Sequence, residues 1–215
     1  MLKLYTYFRS SAAFRVRIAL HCKQLPYQSV PIHLRRGAGE QFSEAYRERN
    51  PAQLVPLLED GPLRIPQSLA IIEYLEERYP VPALLPADAA ARAHVRALAL
   101  TVACDIHPLN NLRVLRYLKA PLDVADAPRD EWARHWIALG FAAVEHALRT
   151  SSSSGRCCYG DVPTLADCCL IPQVFNAQRV GTPMEPYPGI ARIFEHCMQL
   201  EPFAVAAPAA QPDAE

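Results

Sequence analysis

Net charge is missing from this sequence: 22 basic residues are matched by 22 acidic ones among 215. A balanced chain gives no electrostatic support for nucleic acid or an anionic membrane surface as partner. Also missing is any apolar run approaching the roughly 20 residues that span a bilayer. With the N-terminus running directly into a strand pattern, a soluble, cytoplasmic protein with no membrane partner is expected. No Cys-x-x-Cys occurs, and the seven cysteines lack the even count and spacing of a disulfide framework. They read as mostly reduced core residues. The pairs Cys157-Cys158 and Cys168-Cys169 have no second thiolate or histidine cluster at finger spacing, so no metal site is assigned.

What is present is a strand that yields abruptly to a helix. Leu2, Leu4, Thr6 and Phe8 alternate with Lys3, Tyr5 and Tyr7, the period of a strand; Ala13, Val16 and Leu20, then Phe14, Ile18 and Cys22, recur at helical spacing. Between them stands Arg9-Ser10-Ser11. Serine favours the N-cap, and a helix start offers unpaired N–H groups and a partial positive charge. Two hydroxyls and a guanidinium beside such a start suit a thiolate or carboxylate. The alternative is that the serines only cap the helix while Arg9 is a solvated charge.

The length allows two domains. Tyr27 to Ile32 reads as a second strand, Glu40 to Arg49 as a polar helix, and Leu54–Leu58 with Leu63–Ile65 as a hairpin around Glu59-Asp60-Gly61-Pro62. Pro56 marks an irregular strand start, where a cis bond is allowed. Gln67-Ser68 opens an amphipathic helix with Leu69, Ile72, Leu75 and Tyr79 on one face. Three prolines within Tyr79 to Pro86 place a linker there. Beyond it strand signals vanish, and helical windows run from Ala89 to about Tyr117, Arg129 to Thr150, Thr164 to Arg179 and Pro188 to about Leu200. The expected fold class is α/β plus all-α, with domains at 1–82 and 87–215. Ser151 to Gly155 reads as a mobile loop, Thr164 to Asp167 as a capping box, and the tail from Ala204 as extended chain.

A βαβαββα unit joined to an all-helical one resembles the glutathione transferases. Tyr7-Phe8-Arg9-Ser10-Ser11 with Arg15-Val16-Arg17-Ile18-Ala19, Asn50-Pro51 with Val55-Pro56, and Gln67-Ser68-Leu69-Ala70-Ile71-Ile72-Glu73 resemble the zeta class in particular. Cys104 to Leu112 and Ala166 to Val174 extend the likeness into the helical half. One departure is Ala12, where many zeta-class proteins carry cysteine; its absence removes a protein thiol, not the glutathione thiolate.

The resemblance implies glutathione as a recycled cofactor and the cis–trans isomerisation of maleylacetoacetate to fumarylacetoacetate, a dioxo dicarboxylic acid being the small-molecule substrate. It also implies a homodimer. The same chemistry on maleylpyruvate and a non-catalytic glutathione-fold module are the alternatives. By resemblance, Ser10 and Ser11 stabilise the thiolate, with Ala12 and Arg15 nearby. Val55 pairs through its backbone, Gln67 and Ser68 hold the γ-glutamyl carboxylate, and Gln41 contacts the other end of the tripeptide. His107 and Asn111, four residues apart, would share a helix face and contact the ligand. Arg9 and Arg179 are the candidates for the substrate's carboxylates. Arg179 suits a helix C-terminus equally well, and Arg15 and Arg17 suit structural or surface roles.

Overall fold

A computed structural model describes all residues 1–215. The chain divides into two compact units: Met1–Leu84 with Met198–Glu215, and Leu85–Cys197. The boundary falls inside the proline-rich linker. The last 18 residues, expected in the helical domain, instead belong to the first unit.

In the first unit, β1 (Leu2–Thr6) leads into α1 (Ser11–Cys22), then β2 (Tyr27–Pro31), α2 (Glu44–Arg47), the hairpin β3 (Leu57–Asp60) and β4 (Leu63–Pro66), and α3 (Ser68–Arg78). The sheet order is β2-β1-β3-β4, with β1 parallel to β2 and antiparallel to β3. The parallel pair needs a crossover, which α1 supplies. The polar helix expected over Glu40 to Arg49 is broken: a 3-10 turn, Glu40–Phe42, precedes α2, and Ser43 caps α2 by accepting the Tyr46 N–H. Residues of α1 from Ala13 to Leu20 are all buried, against α3 and against α9 (Glu201–Ala206). The tail expected to be extended is therefore a helix followed by a 3-10 turn at Pro208–Ala210.

Two buried cations organise this unit. The Lys23 side chain, shielded from solvent, pairs with Glu76 at 2.6 Å and donates to the Tyr79 and Pro82 carbonyls at 2.8 Å each. Glu76 also accepts the Leu84 N–H, so one pair ties the end of α1 to the chain leaving α3. Arg17 is wholly buried. It donates to the Ala206 carbonyl, the Thr6 hydroxyl, and the Tyr7 and Phe8 carbonyls, joining β1, the turn after it and α9.

The second unit is helical: α4 (Ala89–Leu100), α5 (Leu112–Lys119), α6 (Asp126–Thr150), α7 (Leu165–Arg179) and α8 (Pro188–Met198). The single helix expected from Ala89 to Tyr117 does not form. After α4 the chain widens into a π-helical segment, Thr101–Ile106, tightens into a 3-10 turn, His107–Asn110, and restarts at α5. Pro108 has no N–H to continue an α-helical ladder. Ser151 to Gly155, expected to be mobile, is held by a bridge from Ser154 to Gly160 and by the bond from Gly155 N–H to the Cys157 carbonyl. Asp167 completes the capping box of α7, as the Thr164-x-x-Asp167 spacing implies. No helix is long and apolar enough to cross a membrane.

Replacing Lys23 with Met should leave Glu76 buried without its counter-ion. The expected loss is about 3–5 kcal/mol, read from urea denaturation, and Glu76→Gln with Lys23→Met together should cost less than their sum.

Candidate functional site

The turn between β1 and α1 is built as the sequence suggests. Ser10 has extended backbone angles and its Oγ accepts the Ala13 N–H at 3.2 Å, while its carbonyl accepts the Phe14 N–H. Accepting that bond leaves the Ser10 hydroxyl proton available for donation. Ser11 and Ala12 are half-buried in the first turn, with N–H groups that no residue of the helix can satisfy. The Ser11 hydroxyl makes no hydrogen bond within the chain. Arg9 is exposed beside them, and its charge acts on the Tyr7 phenol, whose pKa burial raises.

Phe8 of this turn packs in one buried cluster with Tyr5, Tyr7, Tyr46, Val55 and Leu57. The cluster therefore brings Val55, which precedes a cis Pro56, alongside the turn. No hydrogen bond within the chain takes up the Val55 N–H or carbonyl, which leaves both for another peptide to pair with. Its approach is set from behind, where the Leu54 carbonyl accepts Tyr46 Oη at 2.6 Å and Asn50 Nδ2 at 2.7 Å.

Gln67 and Ser68 stand at the start of α3. Gln67 is exposed and takes φ of 71°, a left-handed conformation costly for a side chain with a Cβ and typical of residues held for a purpose. Ser68 is buried, and its Oγ accepts Arg15 Nη1 at 3.2 Å. Arg15 is itself 2% exposed, which excludes the surface-charge reading. A buried guanidinium, a serine and the open N–H groups of a helix start make a carboxylate receptor. Gln41 is 4% exposed, and its Oε1 is a buried acceptor without a partner.

Taken by itself, the helical unit holds the remaining candidates. Asn111 Nδ2 lies 3.3 Å from His107 Nε2, so the pair does meet, but not on one α-helix: His107 opens a 3-10 turn and Asn111 caps α5 through the Arg113 N–H. Arg179 Nη2 donates to Asn176 Oδ1 at 2.6 Å; Asn176 donates to Asn110 Oδ1, and Asn110 to the Ile106 carbonyl. Asn110 and Asn176, both buried, were not singled out by sequence. Their link spans 66 residues, and no local spacing signals it.

The fold also brings Cys197 to Cys157 and Asp167, a buried trio that the cysteine spacing concealed. The Asp167 carboxylate is already spent on the N–H groups of Cys158 and Thr164 and the Thr164 hydroxyl. Sharing a hydrogen bond with Cys157 holds the Cys197 thiol far above its usual range, and burial does the same for Cys158.

Residues 4–83 match the family model described as glutathione S-transferase, N-terminal domain. A probable maleylacetoacetate isomerase of Vibrio cholerae is 52% identical, over 98% of this chain and 97% of its own. Among solved structures, a holo maleyl pyruvate isomerase described as a bacterial zeta-class glutathione S-transferase is 48% identical, covers 99% of this chain and all of its own, and superposes with a TM-score of 0.96. A maleylacetoacetate isomerase from Anaeromyxobacter dehalogenans with GSH bound in its active site is 47% identical, covers all of this chain and 98% of its own, and gives a TM-score of 0.88.

Burial pushes the Tyr46 phenol up to about 12. Its raised folded-state pKa contributes stability that is present below the ordinary phenol value and is lost as pH rises toward 12. Tyr46→Phe should therefore delete the last step of a spectrophotometric tyrosine titration and flatten the alkaline loss of stability. At neutral pH it should cost about 0.5–1.5 kcal/mol, because the Leu54 carbonyl keeps its bond from Asn50.

Proposed function

The chain belongs to the zeta class of the glutathione S-transferases, and on that premise we propose that it is a glutathione-dependent isomerase converting maleylacetoacetate to fumarylacetoacetate. The observation that carries this reading is the Ser10 cap: its oxygen is occupied by the Ala13 N–H while its proton remains to be given, at the positive end of α1. Around it, the unpaired acceptor of Gln41, the free Val55 backbone and the Arg15-backed Ser68 are what a γ-glutamyl tripeptide requires of a protein.

Bound glutathione supplies a thiolate whose reversible addition to the maleyl double bond permits rotation about it. The chain's own residues make that thiolate available. An ordinary thiol titrates near ~8.5, and hydroxyl donors at a helix N-terminus bring that value toward neutrality. Ser10 and Ser11 take this role, with the Ser11 and Ala12 N–H groups behind them. Ser68 and the first N–H groups of α3 hold the γ-glutamyl carboxylate, with Arg15 adding charge and Gln67 presented by its left-handed turn. Val55 aligns the cysteinyl unit through its backbone. Gln41 meets the tripeptide's other end.

Arg9 binds a carboxylate of the dioxo acid, since its guanidinium is exposed and owes no hydrogen bond to the chain. Homodimerisation and a cytoplasmic location complete the reading by family.

Removing the serine that bonds the sulfur, by Ser10→Ala or Ser11→Ala, should lower kcat/KM about ten- to a hundredfold, the worth of a hydrogen bond to a charged group. Arg9→Ala should raise the substrate KM or lower kcat while retention on immobilised glutathione holds. Loss of retention with unchanged turnover at saturating glutathione would refute the role given to Arg9. Assay of both maleyl acids decides between chain lengths: faster turnover of maleylpyruvate would move the assignment to the shorter acid, and retention without turnover of either would remove it.

A further inference from the structure

The segment after α9 returns to the turn that carries the serines. Gln211 donates to the Val205 and Ala207 carbonyls, anchoring the 3-10 turn at Pro208–Ala210, and two residues later Asp213 Oδ2 accepts the Phe8 N–H at 3.0 Å. Further on, Glu215 reaches His33 and Arg36.

Phe8 is thereby held on both sides. Its N–H goes to a carboxylate and its carbonyl to Arg17 Nη2 at 3.0 Å. The Tyr7 carbonyl, the other half of the same peptide unit, accepts Arg17 Nη1 and the Ser10 N–H. The Tyr7 carbonyl, the Phe8 N–H and the Phe8 carbonyl are thus each bonded to a charged side chain, and the first also to Ser10. The two charges also answer each other, since Asp213 opposes the desolvation of the Arg17 guanidinium.

We propose that Asp213 is a positioning residue for the reaction: by fixing the Phe8 N–H against the pull of Arg17 on the Phe8 carbonyl, its carboxylate sets where Ser10 and Ser11 meet the glutathione sulfur. The inference rests on the reading of Ser10 and Ser11 given above. Geometry makes the effect indirect, because Asp213 bonds to the Phe8 N–H and to neither serine. A displacement of about 1 Å at a reacting centre costs up to about a hundredfold.

The test uses the full chain, with and without glutathione. In Asp213→Ala, hydrogen exchange of the Phe8 and Ser10 amides should quicken on the order of tenfold without ligand. With glutathione bound, the pH profile of thiolate absorbance should move upward and kcat should fall by about ten- to a hundredfold, with KM for glutathione changing less. Asp213→Asn keeps an acceptor for the Phe8 N–H and should restore most of kcat, within about threefold of wild type. Glu215→Gln, which touches only the neighbouring loop, should leave kcat unchanged. An Asp213→Ala protein with the wild-type thiolate profile overturns the inference, as does Asp213→Asn with kcat reduced tenfold or more. A wild-type protein that binds no thiolate overturns the reading of Ser10 and Ser11, an outcome separate from a wild-type thiolate left unmoved by Asp213→Ala.

Discussion

A guanidinium with no access to water dictates the arrangement of the first unit. Desolvation lowers the pKa of Arg17 only to about 10, so it stays charged near neutrality. A buried charge is tolerated only where hydrogen bonds replace its hydration. Arg17 draws those bonds from Thr6, Tyr7, Phe8 and Ala206. Those residues are the end of β1, the turn before Ser10 and the last residue of α9. The need to satisfy one cation thus holds in place the junction between β1 and α1. It also explains why α9 belongs with the sheet and not with the helices that precede it in sequence.

Much of this was legible locally. The alternation of Leu2, Leu4 and Thr6, the serine cap and the position of Pro56 each depend on neighbours a few residues away, and each appears where the sequence puts it. The capping box at Thr164 does too. What the sequence concealed is long-range. Arg17 stands among apolar helix positions with nothing to say whether it snorkels to water or is sealed in, because its partners are three carbonyls and a hydroxyl and the farthest is 189 residues away. The tail is rich in alanine and proline and signals no docking; only the Arg17 carbonyl partner on Ala206 and the Phe8 partner on Asp213 show why it folds back.

The break in the first helix of the second unit is an intermediate case. The helical window runs from Ala89 to about Tyr117, which is what a helix-period reading follows. Pro108 interrupts the ladder chemically, and the chain absorbs it by widening to a π-helical segment before the proline and tightening after it. Asn110 and Asn111 then diverge. The first is buried and bonded to Asn176, the second becomes the cap of α5 and meets His107. Identical neighbouring residue types thus acquire different tasks from the backbone conformation alone, which is why no spacing rule could divide them.

The chain's treatment of sulfur shows the same logic from the opposite side. Low dielectric disfavours a thiolate, and burial or mutual hydrogen bonding pushes the thiols of Cys158 and Cys197 upward. A helix N-terminus with hydroxyl donors does the reverse, and in this chain it stands at Ser10 and Ser11 with Ala12, not cysteine, in the first turn. The helix start that favours an ionised sulfur thus has no cysteine in its first turn. On the proposed reading the nucleophile is brought in by the tripeptide, and the protein provides the field and the placement.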